Sequence, residues 1–239
     1  MKKIYILFFD EIDQNDFPLV GGKGANLGEM IKAGFPVPDG FCVTTQSYQK
    51  FIDHNHLAGF ISQILKEVSA ENIGQIGAQI RERIKRSEIP EPMAQEIVDA
   101  IHPADVYYAV RSSATAEDLA FASFAGQQDT YLNIKGEKAL LEAVRDCWAS
   151  LFTDRAIFYR IQNNVDHEKV QMSVVIQKMV FPEVSGIMFT ADPVSGRQVL
   201  GGRFVRDPGT GDVNGILVGG RLARRNADSA RQTEIPLIA

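Results

Sequence analysis

The chain is poor in cysteine and in long apolar runs, and each shortage narrows what the protein can be. Its 239 residues include two cysteines, Cys42 and Cys147, which lie too far apart to form a CxxC pair. Two such cysteines suggest neither a disulfide framework nor a cysteine-based zinc site, and they fit a reducing, cytoplasmic compartment. No apolar run approaches the length that spans a bilayer. The sequence therefore predicts no membrane partner.

A basic excess is also missing, because 25 lysines and arginines face 30 acids and the net charge is −5. A general nucleic-acid-binding protein usually carries a basic face, so we expect no nucleic-acid partner. Of the four histidines, only His54 and His56 lie close together, and no third ligand accompanies them. We interpret this pair as a solvated break between helices. The hydrophobic content of 45% is typical of a soluble globular protein.

Hydrophobic periodicity predicts an α+β protein. Residues 4–9 are expected to form a buried first strand, and Glu137–Phe152 an amphipathic helix. Thr45 is expected to cap a helical region that reaches about residue 102, with breaks near Asn55 and Pro90. The other predicted strands are Gly40–Thr44, Val106–Val110, Thr130–Ile134, Gln171–Val180, Ser185–Thr190 and Ile216–Val218.

The segment YAVRSSATAEDLAFASFAGQQDT, residues 108–130, has the composition of a phosphate-handling site. Arg111 is expected at the end of a strand, followed by small residues and a loop centred on Gly126. A guanidinium pairs with two phosphate oxygens at once, and small residues let backbone N–H groups approach an anion. On spacing alone, Arg111 is equally well explained as a salt-bridge partner of Glu117 or Asp118. For these two acids we favour a structural role over metal binding.

A second glycine-rich segment, GGKGAN at residues 21–26, is expected to open a helix that ends at Gly34. It is not a P-loop, because Gly24 follows Lys23 where serine or threonine belongs. It is not a dinucleotide fingerprint, because Leu27 replaces the third glycine. A helix start with one lysine suits an anion. A flexible turn with a solvated lysine explains the same residues about equally well.

The strand that ends in Gln177-Lys178-Met179-Val180 is unusually rich in apolar residues. Gln177 and the neighbouring backbone can hydrogen-bond an adenine edge, with Met179 packed on the ring. Taken alone, such a segment is more often an ordinary buried strand end.

The composition changes after Gly196. Residues 196–239 contain seven arginines, no lysine and four acids, and they hold eight of the twenty glycines. Their hydrophobic periodicity is weak, which is typical of a poorly packed segment. We therefore expect a domain over residues 1–195 and a divergent Gly/Arg-rich tail over 196–239. A frameshifted continuation of a longer gene is one hypothesis for this tail.

Seven segments follow one another in the chain: VGGKGANLGEM, GFPVPDGF, AVRSSATAEDL, SFAGQQDTYLN, WASLFTDRAIFYR, IQKMV and SGIMFTADPVSG. Taken together, they resemble the N-terminal nucleotide-binding part of phosphoenolpyruvate synthases, which pyruvate, phosphate dikinases and rifampicin phosphotransferases share. The resemblance runs from about residue 5 to about residue 196 in the family's order.

The resemblance implies an ATP-grasp-like fold in which ATP lies between two α+β lobes. It also implies that Lys23 and Arg111 contact the ATP phosphates and carry the catalytic role. The remaining implied binding residues are Ser123, Gly126 and Gln127 in a loop over the phosphates, Thr130 on the phosphate or ribose side, Gln177 at adenine, and Met179 and Val180 lining the base pocket.

The chain also departs from the family pattern in its C-terminal part. After ADPVSG the chain lacks the family's apolar glycine-rich continuation, its acidic metal ligand and its phosphohistidine motif. We therefore expect an ATP-binding domain truncated on its C-terminal side and catalytically incomplete alone. Mg²⁺ is expected with ATP, but its ligands are not in these residues. Pyruvate, or rifampicin in the alternative branch, would be reached only through other domains. A non-catalytic nucleotide-binding module or a gene remnant is the other alternative.

Overall fold

The computed structural model describes residues 5–69, 71–101, 105–114, 118–119, 122–123, 130–163, 165–181, 184–191, 198–206, 215–218 and 221–224. They divide into two compact units at Met179 and Val180. The helices are α1 Phe17–Lys32, α2 Thr45–His54, α3 Leu57–Leu65, α4 Ile73–Arg86, α5 Glu91–Asp99, α6 Glu137–Ser150 and α7 Asp154–Gln162. None of these helices is long and apolar enough to cross a membrane.

The strands are β1 Ile6–Phe8, β2 Gly40–Val43, β3 Tyr108–Ala114, β4 Asp118–Leu119, β5 Ala122–Ser123, β6 Thr130–Ile134, β7 Met172–Lys178, β8 Val184–Ala191, β9 Gln198–Arg206, β10 Gly215–Val218 and β11 Arg221–Arg224. With the helices, they confirm the α+β class. Short 3-10 turns cover Phe9–Glu11, Gln14–Asp16 and His167–Lys169.

A five-stranded antiparallel sheet organises the first unit in the order β1-β2-β7-β3-β6. Strand β7 lies at its centre, although it comes last in sequence. Its residues Met172–Ile176 are all buried. This fits the apolar run in the sequence, because a strand covered on both faces has no polar side.

Helices cover both faces of this sheet. One face packs against a large core that contains Trp148, Phe51 and Ile80 from α6, α2 and α4. The other face packs against α1, where Val20 and Ala25 meet Cys42 and Val175 of the sheet. The core on the α1 side is the smaller of the two.

Several predicted elements differ from the structure: the first strand, expected to be buried over residues 4–9, is Ile6–Phe8, and Phe8 is exposed. Strand β3 covers Tyr108–Ala114 instead of Val106–Val110, so Arg111 lies inside the strand and not at its end. The strand continues because Ser112 and Ser113 pair with Val174 and Ser173 of β7. The cap of α2 is Thr44, whose Oγ1 accepts the Ser47 N–H at 3.3 Å.

The neighbouring Thr45 is the first residue of α2, and its hydroxyl donates to the Pro18 carbonyl oxygen at 2.9 Å. The predicted helical region has the expected breaks: α2 ends at His54, and α5 begins after Pro90. A further break separates α3 from α4. The predicted helix 137–152 is α6, which ends two residues earlier at Ser150.

The second unit contains a four-stranded antiparallel sheet in the order β11-β10-β9-β8. Strand β10 contains the predicted strand Ile216–Val218. Strand β9 pairs with β8, so strand pairing crosses the expected division at residue 195. The division into residues 1–195 and a tail stays a prediction.

Candidate functional site

Arg111, Thr130 and Gln177 share the α1 face of the sheet. In the registers β3–β7 and β3–β6, Arg111 lies opposite Val175 on one side and Thr130 on the other. Directly opposed residues project from the same face, and Val175 packs against α1. Gln177 lies two residues beyond Val175, and alternate residues of a strand share a face. Arg111 and Gln177 are partly buried, and Thr130 is exposed.

Lys23 reaches the same face from α1. Gly21 interrupts that helix with φ 66° and ψ 178°, and helical geometry resumes at Gly22. The backbone N–H of Lys23 donates to the Ser113 hydroxyl oxygen at 3.2 Å. Ser113 lies two residues after Arg111 in β3, on the same face. The glycine-rich segment is thus a helix start bonded to the strand of Arg111.

Gln177 and Met179 are held by neighbouring backbone. The Gln177 amide donates through Nε2 to the Pro38 carbonyl oxygen at 3.2 Å. The Met179 N–H donates to the Tyr107 carbonyl oxygen at 2.8 Å, and its Sδ lies 3.0 Å from the Asn133 nitrogen that donates to it. These contacts fix where β7 ends. Val180 begins the second unit.

The remaining predicted loop is described only in part. Ser123 ends β5, which pairs with β4 through Asp118. Gly126, Gln127 and Glu117 lie outside the described residues. The structure therefore brings Lys23, Arg111, Thr130 and Gln177 together on one face, while the roles of all the predicted site residues toward a ligand stay predictions.

Within the described ranges, no group of three histidine, cysteine, aspartate or glutamate residues is placed to hold a metal ion. Mg²⁺ prefers carboxylate oxygens and phosphate as ligands. Since the described residues do not form such a set, we assign none of them to magnesium.

A buried arginine is the main feature that sequence reasoning missed. Arg160 of α7 is 1% exposed, and its Nε donates to His167 Nδ1 at 2.8 Å. Its guanidinium carbon lies 5.4 Å from the centre of the Phe152 ring. Burial lowers the pKa of Arg160 to about 10, against an opposing effect of Tyr48. The sequence signal for its burial is its spacing, because Arg160 lies four residues after the buried Ala156 and therefore on the apolar face of α7.

Three cavities among the described residues do not contain the predicted site residues, and one of about 510 Å³ is lined by residues that include Arg83 and Ser87. Another, of about 440 Å³, is lined by residues that include Asp39, Tyr108 and Lys178. The third, of about 420 Å³, is lined by residues that include Tyr48 and His167. The candidate site is the part of the α1 face of the sheet that lies beside the helix restart after Gly21.

Comparison with known proteins identifies the family. A sequence model described as "Pyruvate phosphate dikinase, AMP/ATP-binding domain" matches residues 17–215. The chain is 53% identical over 203 residues to a rifampicin phosphotransferase of Bacillus cereus, covering 82% of this chain and 23% of that protein. It is 47% identical over 202 residues to a probable phosphoenolpyruvate synthase of Methanothermobacter thermautotrophicus, covering 80% of this chain and 30% of that protein.

A phosphoenolpyruvate synthase of Aeropyrum pernix is 48% identical over 209 residues, covering 83% of this chain and 26% of that protein. The matches thus span between 23% and 30% of the length of these curated relatives. The resemblance read from the motifs is confirmed. Because the family model matches most of the chain, the chain belongs to the pyruvate phosphate dikinase AMP/ATP-binding domain family.

Proposed function

We propose that the chain binds ATP on the α1 face of its sheet, as the nucleotide-binding part of a phosphoenolpyruvate synthase-like phosphotransferase. The observation that carries this proposal is the meeting of Arg111, Thr130 and the Lys23 helix start on one face. Two cations and a hydroxyl beside a helix start form a suitable environment for a polyphosphate. The positive end of the restarted helix adds to the same field.

The proposed roles follow from chemistry and position. Lys23 and Arg111 hold the phosphates and offset the charge that develops during transfer. Thr130, opposite Arg111, donates its hydroxyl to a phosphate or ribose oxygen. Gln177 contributes to recognition of the adenine edge, and Met179 and Val180 line the base. Ser123, Gly126 and Gln127 contribute from the loop over the phosphates.

An ATP-grasp-like arrangement, with ATP between two lobes, is part of this proposal. In a complete enzyme of this kind, ATP and water would react to give a phosphohistidine on another domain, AMP and inorganic phosphate, and the phosphohistidine would then pass its phosphate to pyruvate to form phosphoenolpyruvate. Mg²⁺ would neutralise phosphate charge when it is bound with ATP. Two similar proteins are named as a probable phosphoenolpyruvate synthase and a phosphoenolpyruvate synthase, which supports pyruvate as the acceptor.

A second candidate is the ATP-binding domain of a rifampicin phosphotransferase. The 53% identity to such an enzyme supports it. The two candidates share the ATP chemistry of this chain and differ in the acceptor. A non-catalytic nucleotide-binding module is the alternative from another class. The cytoplasmic location also stays a prediction, drawn from the two isolated cysteines.

The deciding test of ATP binding is a thermal shift with Arg111→Ala as the variant. A ligand at one hundred times its Kd stabilises a protein by about 2.7 kcal/mol, which is roughly 5–10 °C for a domain of this size. We expect millimolar ATP to raise the Tm of the wild type by an amount of this order and to leave the Tm of Arg111→Ala unchanged.

The matched control is Arg86→Ala, which removes an exposed arginine paired with Glu82 at the end of α4. This variant should keep the full ATP shift. Absence of a shift in the wild type would contradict the proposal and favour the gene-remnant alternative.

A further inference from the structure

We infer that Ser113 is a positioning residue whose hydroxyl caps the helix start at Gly22 and fixes Lys23 against the strand of Arg111. The importance of this contact for a ligand rests on the proposed ATP-binding function. The contact joins residues 90 positions apart in sequence. It is therefore a tertiary link between the two glycine- and serine-rich motifs.

The helix start needs a cap that its own sequence does not supply. The first N–H groups of an α-helix have no partner within the helix, and an oxygen of the preceding residue usually accepts one of them. Gly21 occupies that preceding position, and it has no side chain. Lys23 is the second residue of the restarted helix, where the N–H that a cap accepts is found. The Ser113 hydroxyl oxygen, 3.2 Å from this nitrogen, takes the place of the missing cap.

The same hydroxyl also holds the other side of the break. Ser113 Oγ donates to the Val20 carbonyl oxygen at 3.0 Å. A serine hydroxyl has one hydrogen to donate and lone pairs to accept, so both bonds form together. Ser113 is fully buried, which shields the two bonds from competing water. One side chain thus connects the residues before and after Gly21.

The backbone excludes a local cap residue at position 21. A Cβ built on Gly21 would overlap the Ser113 hydroxyl and lie 2.7 Å from the Ser113 carbonyl oxygen. Its φ of 66° also lies in the region that disfavours residues with a Cβ. A serine or aspartate at this position cannot fit. The close approach of glycine lets the strand provide the cap instead.

This arrangement links the two proposed phosphate-binding cations through one strand. Ser113 and Arg111 are alternate residues of β3 and share its α1 face. The helix start that carries Lys23 is hydrogen-bonded to Ser113. Loss of the hydroxyl should let the Lys23 segment shift relative to Arg111, which weakens binding of phosphates more than binding of the base.

The test compares Ser113→Ala with Ser150→Ala in the 239-residue chain. Ser150→Ala also removes a buried hydrogen bond, which the Ser150 hydroxyl donates to the Cys147 carbonyl oxygen at 2.6 Å. This bond lies at the end of α6, away from Lys23 in sequence. Amide hydrogen exchange of Lys23, measured without ligand, should rise at least ten-fold in Ser113→Ala relative to Ser150→Ala. The Kd for ATP should rise about ten-fold in Ser113→Ala, as expected for the loss of one such positioning contact. The Kd for adenosine, which has no phosphates, should change less than two-fold.

The outcomes separate this inference from the proposed function. Faster Lys23 exchange with weaker ATP binding supports both. Faster exchange in a protein that binds no ATP supports the cap and contradicts the proposed function. Unchanged exchange contradicts the cap, and equal loss of ATP and adenosine affinity contradicts the positioning role. Gly21→Ala, which displaces Ser113 from the other side, should reproduce the exchange increase if Ser113→Ala does not fold.

Discussion

At the residue scale, Arg160 shows how a cation is kept inside the larger core. Its Nη2 has no hydrogen-bond partner within the described residues. Burying a charge is costly unless other contacts offset the lost hydration. The ring of Phe152 and the lone pair of His167 Nδ1 supply two such contacts. Because Nδ1 must be unprotonated to accept this bond, Arg160 requires a neutral His167.

His167 should therefore make the stability of the protein depend on pH. Burial, and secondarily the Arg160 charge, lower its pKa to about 4, against the opposing charge of Asp166. In the unfolded chain a histidine titrates near about 6.5. Between these values the unfolded chain binds the proton and the folded protein does not, so stability falls as the pH falls from about 6.5 toward 4.

The expected loss between pH 7 and pH 5 is about 1 kcal/mol once the partial exposure of the imidazole is discounted. Urea unfolding at both pH values measures it. His167→Gln keeps an acceptor without a titrating ring and should lose this part of the pH dependence. His54→Gln replaces an exposed histidine and should keep it. An unchanged pH dependence in His167→Gln would contradict the assignment.

Some residues of the candidate site can be recognised from the sequence, whereas others cannot. Arg111 and Lys23 stand out because guanidinium and ammonium groups are unusual among small residues. Ser113 does not stand out, because a serine in a strand has many roles. Its function depends on the Val20 and Lys23 backbone, which only tertiary packing brings near. Arg160 was missed because long charged residues are rarely fully buried.

At the element scale, α1 consists of a short first segment and a longer helix joined at Gly21. The sequence motif predicted the second helix, because its glycines precede the apolar face of Leu27 and Ile31. It did not predict the first segment, where Phe17 and Pro18 begin a turn of helix. The extent of β3 was missed for a related reason. Ser112 and Ser113 lack apolar character, but pairing with β7 buries them.

Two glycine substitutions should have effects of opposite sign. Gly21→Ala places a Cβ against Ser113 at a positive φ, and we expect a loss of about 2–4 kcal/mol. Gly59→Ala lies in α3, where a Cβ meets no atom within 4 Å, and it should add about 0.5–1 kcal/mol through helix propensity. Chemical denaturation of both variants measures the difference. A tolerated alanine at position 21 would contradict the described break.

At the scale of the whole molecule, the α+β class and the family were predictable from the sequence, whereas the strand order was not. Local periodicity predicts α6 and β7 to within about two residues. The order β1-β2-β7-β3-β6 depends on pairings between distant segments, which local patterns do not encode. The site was predictable as a set of residues, but its shared sheet face required the register of Arg111 with Thr130 and Val175.

The isolated chain is expected to show no pyruvate-dependent ATP consumption. The proposed reaction needs a histidine that accepts the phosphate, and the family's phosphohistidine motif does not occur in these 239 residues. A coupled assay for AMP formation, with and without pyruvate, measures this. A denatured sample sets the background, and sustained pyruvate-dependent turnover would contradict the expectation.

The position of β7 has a consequence for synthesis on the ribosome. Strand β7 lies between β2 and β3, so β3 has no bonded neighbour on that side until residues 172–178 have been made. Domains fold as units, and long-range pairing is slow because distant segments must first meet. Folding of the first unit during translation should therefore wait until Lys178 has left the exit tunnel. Until then, the edges of β2 and β3 that later pair with β7 are free to pair with other chains.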